Sequence, residues 1–385
     1  MDARFKMKIP RYRVVLLAAL AVAFLFFLFQ MRILPGTSQR GGFPKGFQLL
    51  DALMDLIRND YLEERDPVQT AEGAYRGIVN SLDPLSSYLG KDLTARYIAR
   101  SDKDTGTGLI IFKRYGTFAQ VVGVIPGSPA EKAGIKPGDL VSAIGRRNTL
   151  SMSLTEVNLI LGGTDEKPVE VKLLSGNETR EISLARAVLF PRAFAFTSTP
   201  GRPAVLKINR FSPSLAADIV KDVLPALKRQ KKPLILDLRN CAEGSLEEAR
   251  AFTNLFLNAA SVGSFQKRGG IKESVACLAE AGLASVPVAV WAGPATIGPA
   301  EFVAGVLQEF RRAKVLGLPT PGVVARTERF PLRDESSILL VTGVFSLPSG
   351  RSLWGQGLEP NVTVPVKDQS DKAYLEKTLP LLPKF

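Results

Sequence analysis

Residues 287–301 read PVAVWAGPATIGPAE, and this stretch decides what kind of fold the chain can form. The apolar run PVAVW predicts a buried strand, and the run that begins at Phe302 has the spacing of an amphipathic helix. Pro299 lies where the first turn of a helix tolerates proline. The stretch therefore predicts a strand, a sharp turn and a helix. Such a turn places the unpaired N–H groups of a helix N-terminus at the end of a strand, where many hydrolases display a nucleophile.

The region from Ala204 onward repeats this unit. Strand-like and helical runs alternate at residues 204–208, 215–229, 234–238, 246–258, 288–291, 302–312 and 314–316. The alternation predicts parallel strands joined by right-handed crossovers, with functional residues at the carboxyl ends of the strands. The candidate site loops are therefore RNCAEGS at 239–245, GPATIGPAE at 293–301 and GLPTPGVVA at 317–325.

The preceding part of the chain has a different character. Residues 104–187 contain short β-branched runs, Pro-Gly turns and a brief helix in SPAEKAG, which predicts a compact, mostly β module. Two helical runs, 47–61 and 67–82, come before it. We interpret the chain as a multidomain α+β protein with five parts: a tail and membrane helix (1–35), a linker and helical segment (36–103), the mostly β module (104–187), an α/β core with a parallel sheet (188–366) and a C-terminal tail (367–385).

The composition excludes several kinds of chemistry. The chain contains no histidine, which excludes Ser-His and Cys-His mechanisms and the usual zinc sites, and we expect neither a metal nor a cofactor. The net charge of +13 favours anionic partners such as a membrane surface or a cell-wall polymer, but no nucleic-acid motif accompanies it, so we expect no nucleic-acid partner. Cys241 and Cys277 form either one disulfide or two buried thiols, and the sequence leaves both open.

The N-terminus carries a membrane signal. Five basic residues precede the uninterrupted apolar run 14–29: Arg4, Lys6, Lys8, Arg11 and Arg13. The 18 residues between Arg13 and Arg32 would span about 27 Å as a helix, close to the thickness of the bilayer core. The basic flank predicts a single-pass anchor in a bacterial inner membrane, with the soluble part periplasmic or extracellular. A cleaved signal peptide is the alternative, although no small-x-small cleavage site follows the run.

Five stretches resemble the carboxyl-terminal-processing, or tail-specific, serine peptidases, in the order and spacing of that family. They are SLDPLSSYL at 81–89, GSPAEKAGIKPGDLVSAIG at 127–145, LILDLRN at 234–240, AEFVAGVLQE at 300–309 and LPSGRSLWGQGLEPNVTV at 347–364. The second is close to the PDZ consensus, and in the first Leu85 stands where the family has a histidine. The resemblance implies a PDZ domain followed by a peptidase domain that uses a Ser-Lys dyad, for which no histidine is required.

The PDZ resemblance implies a binding site for the C-terminus of a peptide or protein. A PDZ domain adds the peptide as a strand to a sheet edge, holds its carboxylate with backbone N–H groups and takes its last side chain in an apolar pocket. A PDZ fold kept as a rigid spacer is the alternative. By position, the implied peptide-binding residues are Gly106, Thr107, Gly108 and Leu109 in the carboxylate loop and Val157 and Ile160 on the pocket helix.

The residues that carry the chemistry in the family are replaced in this chain. The family writes SASASE at the turn, with the nucleophile three residues before the glutamate and the base lysine twenty-five residues after the nucleophile. Glu301 fixes the register, so Gly298 stands at the nucleophile position and Val323 at the lysine position. Thr327 stands where the family has a glutamine. In the oxyanion loop, which the family writes NNPGG, Glu243 stands where a glycine is expected, and its charge would repel a developing oxyanion.

Three residues near these turns are alternative reactive groups. Thr296 has a hydroxyl but no accompanying lysine, Lys314 starts a strand at the wrong end for a dyad, and Cys241 has no histidine partner. We therefore predict a membrane-anchored, inactive homologue that binds peptide or protein C-termini as a scaffold, or as a regulator of an active protease paralogue. The alternatives are an active serine-type endopeptidase of the cell envelope with an unrecognised nucleophile and a purely structural envelope protein.

Overall fold

The computed structural model describes residues 45–100, 105–163, 167–190, 192–278 and 282–383. The predicted membrane helix and most of the linker, at 1–44, lie outside these described residues. None of the described helices is both long and apolar enough to cross a membrane. The chain divides after Ala71 into two compact units.

The first unit contains the helix that the spacing of its leucines predicts. This helix, α1, spans Lys45–Asp60. Leu49, Leu53 and Leu56 on its surface are exposed. Helix α2, Pro67–Asn80, begins in the same unit, and its proline occupies the first helical position, where the missing N–H costs no hydrogen bond.

The second unit, from Glu72, holds the remaining elements. Its helices are α3 (Lys91–Ala99), α4 (Pro129–Lys132), α5 (Leu154–Leu161), α6 (Leu215–Asp218), α7 (Leu224–Gln230), α8 (Leu246–Thr253), α9 (Pro299–Glu309) and α10 (Asp371–Thr378). A π-helical turn, Ile219–Val223, joins α6 to α7. The strands up to the end of the β module are β1 (Ser87–Leu89), β2 (Thr105–Gly106), β3 (Leu109–Phe112), β4 (Ala119–Val124), β5 (Leu140–Ile144), β6 (Arg147–Asn148), β7 (Gly162–Gly163), β8 (Val169–Ser175) and β9 (Glu178–Leu184). The later strands are β10 (Phe194–Thr197), β11 (Ala204–Ile208), β12 (Leu234–Asp237), β13 (Ala259–Gln266), β14 (Lys272–Cys277), β15 (Val288–Ala292), β16 (Ala313–Gly317), β17 (Ala325–Pro331), β18 (Ser337–Ser346) and β19 (Val362–Thr363).

The predicted β module is an antiparallel sheet in the order β3-β4-β5-β8-β9, with β6 beside β5 and a separate β2-β7 pair. Helix α5 packs on this sheet through Val157 and Leu161, which belong to the core of the module. Ser153 and Glu156 form a capping box that begins α5: the Glu156 N–H donates to the Ser153 hydroxyl, and the Ser153 N–H donates to the Glu156 carboxylate.

The predicted α/β core is a sheet in the order β10-β11-β12-β15-β16-β19. Neighbouring strands in this sheet from β11 onward, namely β11, β12, β15, β16 and β19, pair in parallel, as the alternation predicts. Strand β10 pairs antiparallel with β11 at the edge. Helix α9 contributes Phe302 and Val306 to the larger core on one face of the sheet, and Tyr374 of α10 lies in the smaller core on the other face. The carboxyl ends of β12 and β15 therefore meet at one edge of the sheet.

A second, antiparallel sheet in the order β1-β18-β13-β14, with β17 also paired to β18, differs from the sequence prediction. Neither β13 nor β14 was predicted from the sequence. Residues 259–277 contain serine, lysine and glycine at positions that interrupt the alternation of a strand. The Asp83 carboxylate accepts the Ser86 N–H at 2.7 Å, which closes a turn before the chain enters β1.

The helix predicted at 246–258 is shorter in the structure. Helix α8 ends at Thr253, whose hydroxyl donates to the Ala249 carbonyl at 2.7 Å. Leu255 and Phe256 then turn into the core, where Phe256 has no exposed surface. Burial of these two side chains is the tertiary contribution that the helical spacing did not reveal.

Candidate functional site

One cavity of about 570 Å³ brings the predicted loops of the two domains together. The β module contributes the loop that contains Gly106 and Gly108, and the α/β core contributes Glu243, Gly298 and Val323. Residues 188–190, which connect the two domains, also line it. Residues almost two hundred positions apart in the sequence therefore share one site.

The turn after β15 has the form of a nucleophile elbow without a side chain at its apex. Gly298 has φ 57° and ψ −104°, a conformation that favours glycine, and Pro299 starts α9 immediately after it. A Cβ built on Gly298 would meet no atom closer than the Val323 backbone oxygen, at 3.9 Å. The space for a side chain at position 298 is therefore present and empty of neighbouring groups.

The carboxylate of Glu301 ties this turn to the segment that carries Val323. It accepts the backbone N–H groups of Gly298 at 2.9 Å, Gly322 at 2.6 Å and Val323 at 3.0 Å, and the hydroxyl of Thr320 at 2.5 Å. Burial raises the pKa of Glu301, and these four hydrogen bonds act against that shift. Because its oxygens are occupied by the protein itself, Glu301 is a structural anchor for the two turns.

Val323 and Thr327 follow on the other side of the cavity. Val323 is 3% exposed and packs in an apolar cluster with Ile297. Thr327 lies in β17 opposite Val341 of β18 and lines the cavity. Neither residue supplies a group that can take a proton from a hydroxyl at neutral pH.

The loop after β12 forms a third wall. Its exposed Glu243 lines the cavity, and the Glu243 backbone oxygen accepts the Phe211 N–H at 3.0 Å. Gly244 has φ +115°, and a Cβ there would lie 2.5 Å from the Phe211 Cβ, so only glycine fits. The Ile297 N–H donates to the Cys241 carbonyl at 3.0 Å, which holds this loop against the elbow.

The three alternative reactive groups do not line the cavity. The Thr296 hydroxyl is fully buried, donates to the Leu238 carbonyl at 2.8 Å and accepts the Gly293 N–H at 2.9 Å, so it is a turn hydroxyl. Cys241 is fully buried, and burial raises the pKa of its thiol far above the ordinary value. Lys314 is exposed in β16, in register with Ala289 near the start of β15. Cys241 and Cys277 are both free thiols.

The carboxylate loop of the β module is held by its own backbone contacts. Gly108 has φ +91°, and a Cβ on it would lie 2.1 Å from the Ser128 side chain, so glycine is required. The Gly106 N–H donates to the Ala187 carbonyl at 2.9 Å, which removes it from the donors available to a ligand carboxylate. Leu109, Ile110 and Ile111 of β3 line the adjoining groove.

The structure places the two predicted residues of the pocket helix, Val157 and Ile160, outside the lining of the cavity. Val157 is fully buried in the core of the β module, and Ile160 is packed against that core, and neither lines the cavity. The face of α5 that lines it is instead formed by Leu154, Thr155, Asn158, Leu159 and Leu161. The resemblance implied two apolar positions on this helix, but Val157 faces the sheet because the packing of α5 decides which of its residues reach the cavity.

Comparisons with known proteins agree with this architecture. Residues 202–364 match the model for peptidase family S41, and residues 120–174 match the model for a PDZ domain. A "Probable CtpA-like serine protease" of Staphylococcus aureus (strain COL) is 28% identical over 323 residues, which cover 82% of this chain and 64% of that protein. A protein of the same description from Staphylococcus haemolyticus (strain JCSC1435) is 25% identical over 314 residues, covering 80% of this chain and 62% of that protein. The chain thus spans less than two thirds of the length of these relatives.

A solved structure has the same fold. The photosystem II D1 C-terminal processing protease superposes with a TM-score of 0.67 at 22% identity, over 83% of this chain and 88% of that one. The fold and the cleft define a protein in which a PDZ domain is joined to a peptidase-like α/β core. The chain is a homologue of the C-terminal processing serine peptidases, as the sequence resemblance predicted.

Proposed function

We propose that this chain is an inactive member of its peptidase type that binds peptide or protein C-termini and does not cut them. One observation carries the proposal: no lysine, cysteine or histidine is among the described residues that line the cavity. A serine-type nucleophile needs a base within hydrogen-bond reach, and in this site the nucleophile position itself is Gly298. What remains is a groove with a sheet edge, an apolar helix face and a glycine loop.

The absence of turnover is tested with the purified protein. Unfolded proteins with apolar C-termini should remain intact over many hours, at a rate indistinguishable from buffer. Reproducible cleavage that is abolished by Thr296→Ala or Cys241→Ala would contradict the proposal and favour the alternative, an active envelope endopeptidase with an unrecognised nucleophile. The names of the staphylococcal relatives support that alternative, whereas the burial of both candidate groups argues against it.

Binding is tested separately from cleavage. A fluorescent peptide with a free apolar C-terminus should bind, and the same peptide with an amidated C-terminus should bind much more weakly, because backbone N–H groups recognise the carboxylate. Equal affinity for the two peptides would remove the carboxylate part of the proposal. No binding by either would favour the structural-protein alternative.

The cellular setting is part of the same proposal. The apolar run 14–29 with its basic flank supports an anchor in a bacterial inner membrane, with the soluble part in the periplasm or outside the cell. A scaffold in that place would regulate an active protease paralogue or present C-termini to it. Crosslinking in native membranes followed by purification of the chain should recover such a protease, and recovery from the soluble fraction alone would contradict the anchor.

A further inference from the structure

An apolar seam joins the PDZ domain to the turns of the peptidase-like domain. We use this name for Ile110 and Ile125 of the PDZ domain together with Ala295, Ile297 and Val323 of the peptidase-like domain, which form one buried cluster. Each of the five is less than a tenth exposed. The seam therefore lies directly beside Gly298, at the place where the dyad of an active enzyme would need solvent and substrate.

Two substituted positions meet at this seam. Val323 stands at the lysine position of the family, and Leu85, which packs against the seam and the PDZ core, stands at its histidine position. In both cases a polar or ionisable side chain is replaced by an apolar one. A lysine at 323 would bring an ammonium group among these buried apolar side chains, which is costly without a partner, whereas valine packs with them.

The close packing between the two domains also involves a backbone position, Gly123. Gly123 of β4 lies so close to the elbow that a Cβ on it would be 2.6 Å from the Ala295 Cβ and 2.9 Å from Asn240 Oδ1. The φ of Gly123 is not in the left-handed region, so contact between the domains, and not its backbone conformation, favours glycine there.

The start of the linker, which we count from Arg186 at the end of the PDZ domain, is also held in place. Gly106 and Ala187 exchange two backbone hydrogen bonds of 2.9 Å, and the Arg186 guanidinium donates to the Ile160 and Lys167 carbonyls at 2.6 Å each. Leu189 then packs against the seam and would lie 2.7 Å from a Cβ on Gly106. A linker with these contacts cannot act as a free hinge.

A third attachment holds the PDZ domain through α5. The hydroxyls of Ser87 and Ser153 are 2.6 Å apart, and the Asn80 side-chain NH₂ donates to the buried Glu156 carboxylate at 3.1 Å. Ser87 belongs to β1, which pairs with β18 of the antiparallel sheet. The groove helix is thus fixed to the peptidase-like domain independently of the seam.

From these three attachments we propose that the turns of the lost catalytic centre have become a permanent seat for the chain's own PDZ domain. The substitutions at the dyad and histidine positions supply the apolar surface of that seat. The two domains move as one body, and a peptide enters a groove that is already formed. This inference goes beyond the proposed function, since it concerns the coupling of the domains and its test measures no turnover.

The test is limited trypsin digestion of the full chain under native conditions, with cleavage at Arg186 and Arg192 of the linker followed by mass spectrometry. Gly123→Ala adds a methyl group that the seam cannot accommodate. It should accelerate linker cleavage about tenfold. It should also give two thermal unfolding transitions, where the unmodified protein is expected to give one. The matched control is Gly293→Ala, where a Cβ meets nothing within 4 Å, and its cleavage rate should stay within about twofold of the unmodified protein.

A second variant tests whether the effect of Gly123→Ala comes from the seam or only from a local change at Gly123. Val323→Lys alters the seam from the opposite domain and should produce the same acceleration and the same two transitions. Folding of each variant is verified by circular dichroism before digestion. If folded Gly123→Ala and Val323→Lys both retain the linker cleavage rate and the single transition of the unmodified protein, the seat does not exist. Acceleration by Gly293→Ala equal to that of Gly123→Ala would contradict it equally.

Discussion

A Cβ on Gly298 would lie 3.9 Å from the backbone oxygen of Val323, with no other atom as near. The two positions are held in this relationship by the Glu301 carboxylate, which accepts the N–H groups of both residues. The elbow and the segment that carries Val323 therefore hold a fixed arrangement, although neither Gly298 nor Val323 supplies a reactive side chain.

The empty elbow should accept a nucleophile and a base. In Gly298→Ser with Val323→Lys, we expect covalent labelling at position 298 by a fluorophosphonate at a rate about 100-fold above background, because the Glu301 carboxylate holds the backbone of both positions even when the lysine loosens the seam. Neither single variant should be labelled, since nucleophile and base act together. Labelling should remain slow, because Pro299 has no N–H to stabilise an oxyanion and Glu243 lies in the adjoining loop.

Mass spectrometry of the labelled peptide measures this outcome. Adding Pro299→Ala to the double variant should raise the labelling rate further. A folded double variant that remains unlabelled both with and without Pro299→Ala would show that the two positions do not have the predicted relationship.

Glu301→Gln should weaken the fold by about 2–4 kcal/mol in urea unfolding. The glutamine amide keeps one acceptor oxygen. Its NH₂ group would face either the N–H donors of Gly298 and Val323 or the Gly322 N–H together with the Thr320 hydroxyl. Glu309→Gln at the other end of α9 is the matched control. Glu309 accepts the Ser349 N–H and forms a 4.0 Å ion pair with the partly exposed Arg351, so this variant should lose less than about 1 kcal/mol. Equal losses in the two variants would show that Glu301 is not the anchor of the turns.

Lys113 should make the stability of the protein depend on alkaline pH. Its amine is buried in the PDZ domain and donates to the carbonyls of Thr149 and Met152, and burial lowers its pKa from 10.5 to about 8. Between these two values the unfolded chain binds more protons than the folded one, so the free energy of unfolding rises with pH across that window. Below about pH 8 the full cost of the buried charge is present.

The contribution of Lys113 is isolated by comparison with Lys113→Met. The difference in unfolding free energy between the two proteins should change by on the order of 2–3 kcal/mol between pH 8 and pH 10.5, in the direction that favours the lysine at high pH. Chemical denaturation at several pH values measures it. A difference that is constant with pH would contradict the lowered pKa.

Gly108→Ala should reduce the affinity for a peptide with a free apolar C-terminus by about 30-fold or more. The new Cβ would collide with Ser128 and move the carboxylate loop. Gly116→Ala is the control, because Gly116 also has a positive φ but a Cβ there meets nothing within 4 Å. Both variants carry similar backbone strain, so fluorescence anisotropy should show a large loss for Gly108→Ala and little change for Gly116→Ala. Comparable losses would place the binding site elsewhere.

Part of the candidate site could be predicted because it depends on local sequence. Pro299 indicated the start of α9, and the resemblance to the peptidase family, with its register fixed by Glu301, implied that Gly298 and Val323 stand at the nucleophile and lysine positions. By contrast, Val157 was predicted in the groove and lies in the core, because an apolar helical residue does not reveal which neighbour it faces. Strands β13 and β14 were missed because β13 pairs with distant β18 and β14 pairs with β13, so their stability comes from this pairing and not from their own alternation.

The sequence by itself determined the alternation of strands and helices that predicts the parallel sheet, because that alternation depends on short-range spacing. The resemblance of its motifs to the peptidase family implied the PDZ domain and the replacement of the dyad residues, because a motif depends on residue identity. Only the tertiary structure decided that the glycine loop of the PDZ domain and the elbow share one cavity, and that Leu85 and Val323 pack into the same apolar seam. Residues so far apart come together because burying apolar surface between the two domains is favourable. The sequence carries no local signal of that contact.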